Sequence, residues 1–122
     1  MPLEVMLKPG DCIYIGMAKV VVRSDQYTKL SIEGTLPVLR EDDFIELGDN
    51  PSKARQLYVM LQDAYLKNNL SSRQAEYIAH VTALLQDDPA AEPIAGRANR
   101  WLSQGNVFKA LKVFGSLVGP DS

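Results

Sequence analysis

A single arginine, Arg40, stands in the stretch LPVLREDDFIE (residues 36–46), between an extended segment and an acidic turn. An exposed guanidinium at the end of a strand has the donors to hold a phosphate or to pair with a base edge. The bland alternative is a surface ion pair with Glu41 or Asp42 beside it. Two more pairs of cations recur at helical spacing, Arg97 with Arg100 and Lys109 with Lys112. As a strip, these four can hold RNA phosphates or an acidic partner; as a solvated face they need no ligand. Tyr14 and Tyr27 fall in strand-like segments, where aromatic rings either stack bases or cover a sheet edge.

No set of residues reads as catalytic. The lone His80 lies between Ala79 and Val81 in a helical stretch, with no Cys or second His at metal-binding spacing. Cys12 sits among strand residues, where a thiol is a small buried hydrophobe before it is a nucleophile. The acids at 41–43 and at 87–88 suit a helix start and a solvated loop. Lys8-Pro9-Gly10 is too short for a phosphate-cradling loop. The expectation is a protein that is not an enzyme and uses no cofactor or metal.

The elements that must position these residues are bounded by size and composition. A chain of 122 residues, 46% hydrophobic, fits one domain or two small lobes. The formal net charge is −2, so the chain is no broadly basic nucleic-acid coat. Residues 1–50 hold five Lys/Arg against nine Asp/Glu, a net of −4, while residues 51–122 hold eight against six, a net of +2. Any RNA contact must therefore be local, made by a few well-placed cations. One cysteine excludes an internal disulfide. The start, MPLEVMLKPGD, lacks the pattern of a signal peptide, and no apolar run approaches the ~18 residues that span a bilayer. A cytoplasmic protein without a membrane segment is expected.

Residues 36–46 are also the hinge of the chain. Before them, Leu3, Val5 and Leu7 alternate with Glu4 and Met6. Ile13-Tyr14-Ile15, the β-branched run from Lys19 to Arg23, the segment from Tyr27 to Ile32, and Val38-Leu39 follow, each set off by a turn. Five short strands predict a small antiparallel sheet or barrel, too thin to be stable unaided. After the hinge, Asp49 or Asn50 with Pro51 predicts a helix start, and Ala54, Leu57, Tyr58, Leu61, Ala64 and Tyr65 mark its apolar face. Ser71 and Gln74 have the spacing of a capping box, opening a second helix that buries Ile78, Val81 and Leu84 or Leu85. A third helix uses Ile94, Ala98, Trp101 and Leu102 and stops at Gly105. A fourth, capped by Asn106, uses Val107, Ala110, Leu111, Phe114 and Leu117. The predicted fold is α+β: a five-stranded antiparallel sheet over residues 1–47, a bundle of about four helices over 48–118, and a frayed tail at 119–122.

The segments LKPGD (7–11), LSIEG (30–34), LREDD (39–43), PSKARQLYVMLQDAYL (51–66) and GNVFKALK (105–112) occur in this order. The ordered set resembles the FlbT family of bacterial flagellin regulators over nearly the whole chain. The resemblance implies a small post-transcriptional regulator. Such a protein associates with the 5′ leader of flagellin messenger RNA and represses its translation or shortens its life, or in some relatives promotes expression. It works alongside a second small protein, FlaF, which is linked to flagellin secretion. In addition, LKPGDCIYIG (7–16) and KLSIEGTLPVLREDDFIE (29–46) resemble the two ends of the CsrA family of translational repressors. That family interlaces five short strands from each of two chains and contacts RNA at the first and last strands. The likeness implies a homodimer or higher oligomer. Arg40 matches the arginine at the end of the family's last strand, and Lys8 the second of two basic residues ending its first. Leu7 replaces the first of those two. With Lys19 and Arg23, Arg40 and Lys8 form the candidate RNA-contact set. Arg97, Arg100, Lys109 and Lys112 form the candidate face for phosphate or a partner. The rival expectation is a protein-binding module that docks flagellin or FlaF in an apolar groove and regulates indirectly.

Overall fold

The computed structural model describes residues 3–119. Its chain divides into two compact units, one running up to Phe44 and taking in Leu66–Asn68, the other formed by Ile45–Tyr65 and the residues from Asn69 on. The first unit carries all five strands, the second four α-helices; the class is α+β, as expected.

In the strand unit, β1 (Leu3–Leu7) pairs antiparallel with β4 (Thr28–Ile32), from Leu3 opposite Ile32 to Leu7 opposite Thr28. A second, three-stranded sheet has β2 (Cys12–Ile15) at its centre, flanked by β3 (Ala18–Val21) and β5 (Val38–Arg40), both antiparallel. Two sheets form rather than one because each has an apolar face to cover. Val5, Leu7, Leu30 and Ile32 of the ribbon pack with Ile13, Ile15, Val20, Val22 and Val38 in one cluster, so each sheet buries the other's open side. Alternation on β1 holds from Glu4 on: Val5 and Leu7 are buried while Glu4 and Met6 are exposed, but Leu3, expected on the inner face, is exposed at the start of the strand. Gly16 opens the two-residue loop from β2 to β3 with φ 57°, the conformation in which a side chain is strained and a hairpin twist is matched. Its N–H donates to Pro37 O at 2.8 Å, tying the loop to the approach of β5. Strand bounds differ from the expected ones by a residue or two, chiefly because Val22 and Arg23 lie beyond the end of β3. Val22 still exchanges backbone bonds with Asp11 and Gly10.

The acidic run 41–43 closes a single 3-10 turn, with the N–H of Phe44 on Glu41 O at 3.1 Å. Here the expected helical turn is only three residues long.

In the helical unit, α1 (Lys53–Lys67) starts two residues later than expected. Its cap is Ser52, whose hydroxyl accepts the N–H of Arg55 at 3.1 Å, and not Asp49 or Asn50. Pro51 thus precedes the cap rather than occupying the first helical position. Ala54, Leu57, Tyr58, Leu61 and Ala64 are buried on the predicted face. Beside them Gln62 is 3% exposed, and its carboxamide makes both bonds to Ile45: Nε2 donates to the carbonyl at 2.8 Å, and Oε1 accepts the N–H at 2.9 Å. The helix ends at Asn68, held at φ 54°, where asparagine is the most tolerant residue after glycine.

The capping box expected at Ser71 and Gln74 does not form. Residues 70–72 make a 3-10 turn, the Ser72 hydroxyl donates to Asn69 O at 2.9 Å, and α2 (Gln74–Asp87) begins after Arg73. Arg73 takes over the start of the helix, with its guanidinium on Asp63 of α1 at 2.7 Å and on both carboxylate oxygens of Glu76 at 2.9 and 3.0 Å. The buried face of α2 is rotated from the expected one: Tyr77 and Leu84 are buried, whereas Ile78, expected inside, is 59% exposed. The Tyr77 hydroxyl donates to Asn99 Oδ1 at 2.7 Å, and burial pushes its ionisation up to about 12.

A 3-10 turn at Pro89–Ala91 leads into α3 (Glu92–Ser103), whose small residues Ala95 and Ala98 are buried. Gly105, at φ 77°, reverses the chain into α4 (Val107–Gly115), capped as expected by Asn106, whose Oδ1 accepts the N–H of Lys109 at 3.1 Å. Ala110, Leu111 and Phe114 are buried, and the Tyr77 ring meets Phe114 edge-on at 6.3 Å. Leu117 lies past the helix end and is half-buried. Of the frayed tail expected at 119–122, residues 120–122 lie outside the described residues.

Candidate nucleic-acid interface

β2 positions the strand-unit cations. Arg40 is the last residue of β5 and lies opposite Ile13. It is exposed, and among the described residues its guanidinium has no hydrogen bond or ion pair. The ion pair with Glu41 or Asp42 that a strand-end arginine invites is not made. Glu41 instead accepts the Cys12 thiol at 3.1 Å, and burial together with this carboxylate pushes the Cys12 ionisation up. Such a thiol is held protonated and away from solvent, the opposite of a nucleophile's setting.

Lys8 follows β1, and its backbone N–H donates to the Asp11 carboxylate at 3.0 Å. Arg23 follows Val22, whose N–H donates to Asp11 O at 2.9 Å. Lys8, Arg23 and Arg40 therefore all flank the start of β2, at residues 11–13. All three are exposed. Lys19 stands apart from them. It lies opposite Tyr14, and since neighbouring positions on a strand face opposite ways, its side of the sheet is the one opposite that of Arg40. The two aromatic candidates also separate. The Tyr14 ring is stacked on Phe44, centroids 4.0 Å apart, with Lys19 Nζ 5.9 Å from its centroid, so one face of it is already used. Tyr27 is 67% exposed and precedes Thr28, the partner of Leu7, so it leaves the β1–β4 ribbon at the same end as Lys8. One end of the strand unit thus gathers three cations and an open aromatic ring, with Asp11 and Glu41 among them. The local charge is mixed, and its free donors are few.

The second cationic set lies in the helical unit. Arg97, Lys109 and Lys112 border a shallow groove between α3 and α4 of about 340 Å3, lined also by Trp101, Phe108, Val113 and Ser116. Arg100 does not line it. The Lys109 ammonium lies 4.7 Å from the centre of the Trp101 ring, a cation–π contact. Sequence reading assigned Trp101 to the helix core and did not consider Phe108 or Val113; the groove becomes visible only once the turn at Gly105 folds α4 against α3. His80 is half-buried in α2 with no companion ligand, and no described group of His, Cys, Asp and Glu residues is arranged to hold a metal ion. No described helix is long and apolar enough to cross a membrane.

Comparison with known proteins places these features in a family. The model of the family described as "Flagellar protein FlbT" matches residues 3–120. The chain belongs to the FlbT family. It is 34% identical over 119 residues to the "Probable flagellum biosynthesis repressor protein FlbT" of two strains of Rhodopseudomonas palustris, covering 97% of this chain and 93% of each relative. It is 29% identical over 113 residues to the "Probable flagellum biosynthesis repressor protein FlbT 1" of Bradyrhizobium diazoefficiens, covering 92% of this chain and 77% of that protein. No solved structure matches the chain. In this FlbT-family chain both cationic groups, at the end of the strand unit and along the α3–α4 groove, fall inside the matched residues.

Proposed function

We propose that this FlbT-family chain is a regulator of flagellum biosynthesis that acts in the cytoplasm on the 5′ leader of flagellin messenger RNA, repressing its translation or stability. The naming of its relatives as probable flagellum biosynthesis repressors supports the biological half of this reading. The observation that carries the molecular half is the unpaired, exposed guanidinium of Arg40 at the end of β5, with Lys8, Arg23 and the open Tyr27 ring at the same end of the strand unit. An arginine fork supplies directed donors to a phosphate or a guanine edge, and a neighbouring ring supplies a stacking surface for an unpaired base. Occupying the start of a message excludes ribosomes without any covalent step, so no catalytic group is required. A homodimer would present two such ends and lengthen the RNA contacted.

Few cations in a mixed-charge setting predict a small salt slope. Arg40→Ala is expected to weaken leader binding by roughly 1–3 kcal/mol and to lower the slope of log affinity against log salt by about 1. Unchanged affinity and slope would remove Arg40 from the site.

A second reading, regulation through a protein partner such as flagellin or FlaF, is favoured by one observation, the apolar groove between α3 and α4. Nuclease treatment separates the two readings: an association carried by RNA is lost with the RNA, whereas a protein seated in the groove stays bound.

A further inference from the structure

We propose that the α3–α4 groove is a docking site for an acidic peptide segment that inserts one apolar side chain between Trp101 and Phe108. This rests on the partner-binding reading and gives it a site and a ligand chemistry. The floor is apolar, made by Trp101, Phe108 and Val113, and a volume of about 340 Å3 matches one or two large side chains rather than an extended chain. The rim is cationic on both helices, Arg97 from α3 and Lys109 and Lys112 from α4. No acidic residue lines the groove, although the chain as a whole carries more acids than bases. Charge complementarity therefore asks for carboxylates on either side of an apolar anchor. RNA fits this groove less well. One face of the aromatic system is already covered by the Lys109 ammonium, and an apolar floor offers a base edge no donor or acceptor. A peptide side chain needs neither, and it gains from desolvating the floor while its flanking carboxylates meet the rim.

Trp101 is the chain's single tryptophan, so its fluorescence reports on this groove alone. The full-length protein is titrated with a synthetic twelve-residue peptide rich in Asp and Glu around a central Leu-Phe pair. A matched peptide carries Ser-Ser at the centre, and a twelve-nucleotide single-stranded RNA is the third probe. The expected result is a saturable change in Trp101 emission with the Leu-Phe peptide. At least tenfold weaker binding is expected for the Ser-Ser peptide, and tenfold or greater loss in Arg97→Glu and in Lys109→Glu, both exposed positions whose replacement leaves the circular dichroism spectrum unchanged. Equal binding of the two peptides, binding that survives both charge reversals, or a larger Trp101 response to the RNA would each overturn the proposal. Failure here is distinct from failure of the partner-binding reading. If protein partners stay attached to the intact chain after nuclease treatment and to the Lys109→Glu variant alike, that reading stands and the groove is the wrong place.

Discussion

Arg40 and Arg73 show how one residue type takes two roles according to what surrounds it. Arg73 is held by three hydrogen bonds to two partners: its side chain is 20% exposed, and Asp63 and Glu76 accept from it at 2.7 to 3.0 Å. Such charge-assisted bonds raise its own ionisation further and hold the Glu76 carboxyl below its usual range, because the first-order effect on each is the hydrogen bond to the other. Arg73→Ala is expected to cost about 1 kcal/mol, a figure discounted for the solvent exposure of both acids, read as a shift of the urea midpoint. The depressed Glu76 makes a contribution that is fully present above the ordinary carboxylate range. It is lost as pH falls through the lowered folded value, since the unfolded chain binds that proton more readily. Arg73→Ala is therefore expected to flatten the acid limb of a stability–pH curve and leave the neutral plateau parallel. Arg40 has none of these partners. Its register opposite Ile13 in an otherwise covered strand pair leaves the guanidinium to solvent, which is what a ligand-contacting arginine requires and a structural one lacks. The sequence placed Arg40 at a strand end correctly. It gave no sign that Arg73 would be a structural anchor, because that role depends on α1 bringing Asp63 alongside.

Among the elements, those with a regular period were legible and those fixed by side-chain bonds were not. The 3–4 rhythm of Ala110, Leu111 and Phe114 describes one buried face, and it is found; of the alternating Leu3, Val5 and Leu7 the last two are buried, while Leu3, at the open start of β1, is 45% exposed. The Asn106 cap and the Gly105 turn were readable from residue type alone. The capping box at Ser71 and Gln74 does not form because residues 70–72 close a 3-10 turn, with the Arg73 N–H on Leu70 O, and the Gln74 carboxamide is turned to donate where the box needs it to accept. The Ser72 hydroxyl donates to Asn69 O, and the Gln74 side chain donates to Leu70 O at 3.4 Å. On α2 Tyr77 lies inside and Ile78 outside. Gln62 was invisible for a different reason. A buried carboxamide next to an apolar helix face is polar by type, and only the passage of Ile45 beside α1 gives it two partners. Gln62→Ala is expected to leave the Ile45 N–H and carbonyl unpaired and to cost roughly 2–4 kcal/mol. Thermal unfolding followed by circular dichroism checks this. A shift within 1 °C of wild type would mean that water replaces the carboxamide freely.

At the scale of the whole molecule, charge is divided as the units are. The acidic first fifty residues contain the one unpaired strand-end arginine, and the cations of the helical unit that line a pocket gather on α3 and α4. The two proposed ligands divide in the same way, a nucleic-acid contact made by few donors in the strand unit and an acidic peptide held by a cationic rim in the helical unit. Leader binding is the claim on which the proposed function turns. Co-purification from flagellated cells tests it most directly, with tagged wild-type and Arg40→Ala chains compared at equal abundance and the retained RNA sequenced before and after nuclease treatment. The account predicts that flagellin message is enriched on the wild-type chain, that a nuclease-protected fragment maps to its leader, and that both are lost with Arg40→Ala. Equal recovery of the message on the variant, or retention of protein partners alone with no leader fragment, would contradict it.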